Sequence, residues 1–293
     1  MSTTTTHRPF RFGRWFRATG WRHLIGVIMS VFEIFPLLYV LSASFNPGGT
    51  LVSANALFSV VDLGSYIQLF GLPQQPYAAW YGNTIVIGVT TSICTVFLGA
   101  MAAYSFSRMR FTGRRVGLLA LLLVQMFPQL LAVVAIFLLL NGISDIFPAI
   151  GLDTQIGLIM VYLGGALGVN TYLMYGFFNT VPTSIDEAAK IDGAGHARIF
   201  FTIILRLVAP ILAVVGLLSF IGTTNEFVIA SIVLIEPERQ TLAVGLYQFV
   251  SEEFSKNYSI FAAGAVLAAL PVMVLFLYLQ KYIVSGLTAG SVK

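Results

Sequence analysis

The chain has 293 residues, 57% of them hydrophobic and only 10% charged, with a formal net charge of +4 and a mean hydropathy of +0.88. Soluble domains carry about 25% charged residues, and a chain this long with so few cannot clothe a globular surface with them. This argues against a soluble enzyme, a disordered chain or a fibrous repeat, and leaves a polytopic membrane protein whose 16 Lys+Arg and 12 Asp+Glu sit where lipid tolerates them.

In chain order, residues 1–23 form a polar tail rich in arginine (Arg8, Arg11, Arg14, Arg17 and Arg22). The apolar run that follows is long and no small-residue cleavage site closes it, so the tail reads as a cytoplasmic lead into a retained anchor, not as a signal peptide. Six apolar segments follow, at 24–45, 84–106, 116–140, 156–178, 207–235 and 259–281. Each is long enough to cross a hydrocarbon core of ~30 Å as helix. Helix is the form expected, because lipid satisfies no strand edge. The expected fold is therefore an all-α membrane protein with six transmembrane helices.

The loops between these segments alternate in charge. Loop 46–83 has no Lys or Arg, only Asp62; loop 107–115 has Arg108, Arg110, Arg114 and Arg115; loop 141–155 has only Asp145 and Asp153. Segment 179–206 has Lys190, Arg198 and Arg206, and loop 236–258 sets Arg239 and Lys256 against Glu236, Glu238, Glu252 and Glu253. With both termini cytoplasmic, the inner side holds 14 of the 16 basic residues, as the positive-inside rule requires. The basic pI of about 9.2 then reports orientation in a membrane, and no nucleic-acid partner is expected. The single cysteine, Cys94, lies in an apolar run and reads as packing.

Several chemistries are missing from the sequence. There is no G-x-x-x-x-G-K-[ST] phosphate loop, no H-E-x-x-H and no G-x-S-x-G. His7, His23 and His196 are scattered, so no metal site is expected. Repeats of 20–50 residues and the inverted repeats of secondary carriers are not visible. The chain reads as a path through the bilayer without an ATPase or other catalytic site of its own.

The most structured loop is segment 181–210, V-P-T-S-I-D-E-A-A-K-I-D-G-A-G-H-A-R-I-F-F-T-I-I-L-R-L-V-A-P. Pro182 ends the preceding helix. Ser184 followed by Glu187 reads as a capping box, with Asp186 and Glu187 on the positive end of the helix dipole. Ile185, Ala188 and Ala189 fall on one face, expected to be exposed. Gly193 suits a left-handed helix end, and Gly195 keeps the following turn loose. On the residues alone, such a helix fits both an amphipathic helix lying in the interface and a docking helix for another protein.

The run Glu187-Ala188-Ala189 with Gly193 at the fourth position after it resembles the EAA loop of ABC importer membrane subunits. In that family the loop is a coupling helix that docks on a cytoplasmic ATPase. The usual I-x-L-P ending is Ile203-Ile204-Leu205-Arg206 here, with Arg206 in place of Pro and Pro210 one turn later. The runs A-Y-S-F-S-R-M-R-F (103–111), Q-M-F-P (125–128), V-Y-L-G-G (161–165), T-L-A-V-G (241–245) and the tail G-L-T-A-G-S-V-K (286–293) are similar to the MalG-type maltose/maltodextrin permease family. The resemblance implies a type I ABC importer transmembrane domain, with a cytoplasmic N-terminal tail at 1–23, the six-helix permease domain at 24–284 and a cytoplasmic C-terminal tail at 285–293. The coupling loop falls at 179–206. It also implies a multi-pass protein of the bacterial cytoplasmic membrane that imports maltose or maltodextrins, or another sugar such as trehalose. The implied partners are a MalF-like second permease subunit, a MalK-like ATPase dimer, an extracytoplasmic sugar-binding protein and membrane lipid. No cofactor is bound by this chain; ATP-Mg belongs to the partner ATPase. The coupling residues would be Ser184, Ile185, Glu187, Ala188, Ala189 and Gly193. The likeness of residues 286–293 to the permease tails suggests contact with the ATPase dimer, a frayed end being the alternative, and the acidic loop 236–258 fits both contact with the sugar-binding protein and a solvated loop.

Within the spans, Glu33 and Glu226 are the ionisable residues, each expected to face protein or a water-filled cavity. Gln125 and Gln129 flank the kink-prone Pro128, Asn170 lies in the fourth span, and Asn225 and Glu226 close a polar patch that begins at Thr223. Gln125, Gln129, Asn170, Asn225 and Glu226 are the candidate translocation path; helix–helix hydrogen bonding is the alternative role for the same side chains. Gly164-x-x-x-Gly168 suggests close helix packing.

Overall fold

The computed structural model describes residues 13, 16–46, 57–251 and 258–289. Most of the arginine-rich tail, Glu252 and Glu253 of the acidic loop, and the last four residues of the C-terminal tail lie outside them. The described residues form helices and connections with no strand. In order these are α1 (Trp21–Ser44), α2 (Gly64–Gly71), α3 (Tyr77–Arg108), α4 (Arg114–Gln125), α5 (Gln129–Ser144), α6 (Gln155–Phe178), α7 (Thr183–Ile191), α8 (His196–Leu207), α9 (Ala209–Asn225), α10 (Val228–Val233), α11 (Leu242–Ser251) and α12 (Tyr258–Ala289).

Among the described residues four helices are individually long and apolar enough to cross a membrane: the first, which runs from Phe16 to Ser44 through α1, then α3, α6 and α12; counting each bent pair of helices as one span brings the number to six. The third and fifth expected spans are broken, not continuous. Proline supplies no N–H and disfavours helix at the residue before it, so Pro128 stands in extended conformation as the N-cap of α5, and α4 and α5 meet at 97°. At the fifth span, α8 and α9 meet at 79°, with Pro210 in the first turn of α9. The chain is therefore bent one turn beyond Arg206. Past α9 the helix breaks again at Glu226 and Phe227 before α10. The stretches read as loops also hold short helices, α2 and α11, and α12 runs on to Ala289, inside the stretch read as a tail.

α3 is the central helix and packs most extensively on α6 and α9. Lipid offers no hydrophobic drive between helices, so close approach of small residues and dispersion must hold them. The face of α3 fits that need: Gly88, Thr91, Thr95, Gly99, Ala100 and Ala103 are buried along it. A Cβ on Gly88 would meet the Phe220 ring of α9 at 2.9 Å, and one on Gly99 would meet Met174 Sδ of α6 at 3.3 Å. Gly168 also sits at a close approach, against Gln125 and the Leu121 carbonyl of α4, whereas a Cβ on Gly164 meets nothing within 4 Å. Only the second glycine of that pair serves packing within this chain. Cys94 is half-buried.

α1 lies along α12 and exposes most of its length. Glu33, expected to face protein, lies on the exposed surface of α1 because the helix touches this chain along a narrow strip only.

Gly245 of α11 packs directly against Trp80 of α3. A Cβ there would overlap the indole, which is fully buried and donates through Nε1 to the Pro237 carbonyl at 2.7 Å. Gly245→Ala should therefore destabilise the protein by about 1–3 kcal/mol, the usual cost of overpacking. Thermal unfolding in detergent checks this. Gly142→Ala, where a Cβ meets nothing within 4 Å, should leave the midpoint unchanged or slightly raised.

Candidate functional site

The loop between α6 and α8 carries the first candidate site. The chain leaves α6 at Phe178, and Pro182 (φ −59°, ψ 134°) is the N-cap of α7. No side chain caps this end, so the expected capping box of Ser184 and Glu187 does not form. Ser184 lies one residue inside the helix, because Pro182, locked at its φ and lacking an N–H, starts the helix two residues early. The other end is as expected. Gly193 takes φ +80°, and the Gly193 and Ala194 amides donate to Lys190 O at 3.0 Å and Ala189 O at 2.9 Å. That is the Schellman closure. Gly195 has an ordinary extended backbone (φ −73°, ψ 165°).

The burial of α7 reverses part of the sequence reading. Ala189 is buried and Ile185 half-buried, both packed into the chain's own core with Tyr104, Phe178, Val181 and Phe200. Of the three residues expected on an exposed face, Ala188 alone is exposed. The outward stripe is Ser184, Glu187, Ala188 and Ile191, spaced i, i+3, i+4, i+7, and Ile191 is 87% exposed. The physical reason is Asp186. Its carboxylate is buried with the Arg108 side chain, Nε to Oδ2 at 3.0 Å, each side chain 6% exposed. Arg108 ends α3 and donates through Nη2 to Val181 O at 2.8 Å. This ion pair turns the 185/186/189 face inward. Nearby, the Tyr104 hydroxyl lies 3.4 Å from His196 Nδ1 and its ring 5.1 Å from that of Phe200.

The candidate path residues do not form one site. Asn170 and Glu226 line a cavity of about 250 Å³ between α6, α9 and α10, with Tyr162, Ser219 and Thr223. Asn225 lines a different one of about 590 Å³ between α3, α9, α11 and α12, with Thr84, Thr224 and Phe220. Gln125 donates its amide to Gly165 O across the α4–α6 contact, which is helix–helix hydrogen bonding. Gln129 stands at the start of α5, but its side chain is outside the described residues. Glu226 explains the break in the fifth span. Its Oε1 accepts from Ile229 N at 2.8 Å, and its Oε2 from Ala230 N at 3.0 Å and the Tyr162 hydroxyl at 2.7 Å. The costly carboxylate thus caps α10, supplying acceptors that lipid cannot. Buried Ser219 Oγ beside it has no hydrogen-bond partner.

A polar latch at the opposite end of the bundle from α7 was not foreseen. Asp153, at φ +58°, accepts from Ile235 N and Glu236 N at 2.9 and 3.1 Å and pairs with Arg239 at 3.3 Å. Asn83 holds Glu238 O and Gln240 O at 2.8 and 3.0 Å. A signal was present: Arg239 is one of two basic residues on the side assigned as outer, and Asp153 is an acid of the neighbouring loop.

Residues 95–289 match the family described as binding-protein-dependent transport system inner membrane component. The chain is 42% identical over 272 residues to the galactooligosaccharides transport system permease protein GanQ of Bacillus subtilis (strain 168), covering 92% of this chain and 94% of that one. It is 41% identical over 271 residues to the maltodextrin transport system permease protein MdxG of the same organism, covering 92% and 95%. Among solved structures, a bacterial ABC transporter involved in the import of the acidic polysaccharide alginate superposes with a TM-score of 0.74 at 25% identity, over 94% of this chain and 99% of that one. The fold is that of a type I ABC importer permease, and the broken spans and loop helices described above are details within it. By its match over two-thirds of its length and by these relatives, the chain belongs to the inner membrane components of binding-protein-dependent transport systems.

Proposed function

We propose that this chain is one of two membrane subunits of an ATP-driven importer for maltose and maltodextrins, and that α7 is its coupling helix. The observation that carries the proposal is the pair of opposite faces on α7. One face is anchored in the chain's own core by Ala189, Ile185 and Asp186; the other presents Ser184, Glu187, Ala188 and Ile191 outward, exposed among the described residues. An ordinary interfacial helix needs no buried ion pair behind it. A helix that transmits force needs a fixed back and an accessible front.

On this reading a MalK-like ATPase dimer, which binds ATP-Mg, docks on that front. A MalF-like subunit completes the membrane pathway, and a sugar-binding protein delivers substrate from outside. Both termini are cytoplasmic, in line with 14 of 16 basic residues on that side. Glu187 and Ala188 contact the ATPase directly, with Ser184 at the rim; Ile185 and Ala189 act by seating the helix and Gly193 by ending it. Asn170, Glu226 and Asn225 line hydrated parts of the path, while Gln125 belongs to helix packing and Gln129 remains an expectation. The similarity to the maltodextrin permease supports maltodextrin as the sugar, and the similarity to GanQ favours a second reading, galactooligosaccharides.

Three outcomes follow. Ala188→Trp or Ile191→Glu should abolish co-purification of the ATPase while leaving the folded yield of the permease unchanged, since neither touches the core; retention of the ATPase would exclude α7 as its dock. Gly193→Val places a branched side chain at φ +80°, where no neighbour lies within 4 Å of a Cβ. The cost, about 1–2 kcal/mol, is backbone strain in the left-handed region, and sugar uptake should fall relative to ATP hydrolysis. In a strain lacking the native importer, labelled maltotriose should be taken up and should be competed by unlabelled maltodextrin; uptake of galactooligosaccharide instead would transfer the assignment to the second reading.

A further inference from the structure

Arg108 and Asp186 are the one ion pair among the described residues with both side chains buried. Arg108 is the last residue of α3, and its guanidinium reaches two other elements: the chain leaving α6, through Val181 O, and α7, through Asp186. The covalent links of α7 are turns, at 179–182 before it and 192–195 after it. Neither leads to α3, which carries the main contacts with α6 and α9. The pair is thus the polar tie between α7 and the central helix.

Its geometry is also unusual. Arg108 Nε stands 3.0 Å from Asp186 Oδ2, yet Arg108 Nε and both carboxylate oxygens lack an aligned hydrogen bond. Charge, not hydrogen-bond direction, holds the two together. Coulomb attraction in a buried site is little screened and falls off slowly with distance. Such a pair resists separation.

We propose that the Arg108–Asp186 pair is the strut by which displacement of α7 is passed into α3, and so to the helices packed on it. Both are positioning residues for transport: they touch neither sugar nor nucleotide. The proposal rests on the reading of α7 as the coupling helix.

The test uses the whole importer, with second permease subunit, ATPase dimer and binding protein, in proteoliposomes, and reads sugar imported per ATP hydrolysed. Asp186→Asn should keep the ATPase bound and hydrolysing while that ratio falls at least about fivefold, the lower end of ordinary coupling between sites. Asp186→Glu, which keeps the charge, should recover most of it. A purely structural role would lower yield and leave the ratio of the surviving complexes intact. Arg108→Met/Asp186→Leu removes both charges without stranding either and should show the same fall if Asp186→Asn does not assemble. A wild-type ratio in Asp186→Asn or in the double variant overturns the strut. So does failure of both to assemble with their partners, which would make the pair an assembly contact. The docking reading stands or falls separately, on whether Ala188→Trp releases the ATPase.

Discussion

In this chain every break in a membrane-spanning helix frees backbone groups that lipid cannot satisfy. Helices are therefore the default, and every departure from helix needs an answer. The departure at Glu226 and Phe227 is answered by the Glu226 carboxylate, which accepts two amides of α10 and the Tyr162 hydroxyl. The departure at Pro128 is accompanied by the Gln125 amide donating across to Gly165 of α6. The side chains that look like a sugar path from the sequence are therefore partly the means by which broken spans are tolerated. The unpartnered Ser219 hydroxyl, by contrast, lies in the cavity that Asn170 and Glu226 line.

How much of this was legible follows from the range of each signal. The spans were legible because hydropathy is a property of consecutive residues. The α7 helix and its end at Gly193 were legible because a helix terminus is a local event. Its inward and outward faces were not. Polarity alone places Asp186 outward and Ile185, Ala188 and Ala189 together on one face. What decides the matter is Arg108, on a different helix far earlier in the chain, whose charge draws Asp186 inward and rotates the stripe with it. The start of α7 failed for a smaller reason: S-x-x-E is a capping box only when Ser precedes the helix, and Pro182 starts the helix ahead of it. The latch of Asp153, Arg239 and Asn83 joins three distant stretches, and single-residue patterns do not report such meetings.

The breaks in the third and fifth spans also bear on how such a fold moves. A continuous helix of 24 or 32 residues, such as α6 or α3, moves as a rod. A span divided at Pro128, or at Glu226, moves as two shorter pieces about a joint. The rods α3 and α6 are packed on each other through Gly99 and Met174, and α3 on α9 through Gly88 and Phe220. Small residues at these contacts leave little slack. α3, α6 and α9 therefore form one closely packed unit.

The scarce charges carry a last consequence. Arg108 is counted among the basic residues that set orientation, and counted that way it is one of 14 equivalent cations. It is not equivalent to them. Arg114, on the next helix, sits over the Tyr175 ring at 5.8 Å and donates to its hydroxyl at 3.3 Å, a contact at the rim of the bundle. Arg108 is buried and opposes a buried carboxylate. A cation at the C-terminal end of α3 is already favoured by the helix dipole, so one residue meets two demands: the end of a helix and the charge of Asp186. Removing it would strand a carboxylate in a low-dielectric site, at a cost of about 3–5 kcal/mol, far more than a topology signal is worth when 13 others remain. The packing of α7 against α3 thus depends on Arg108 for more than its sign alone.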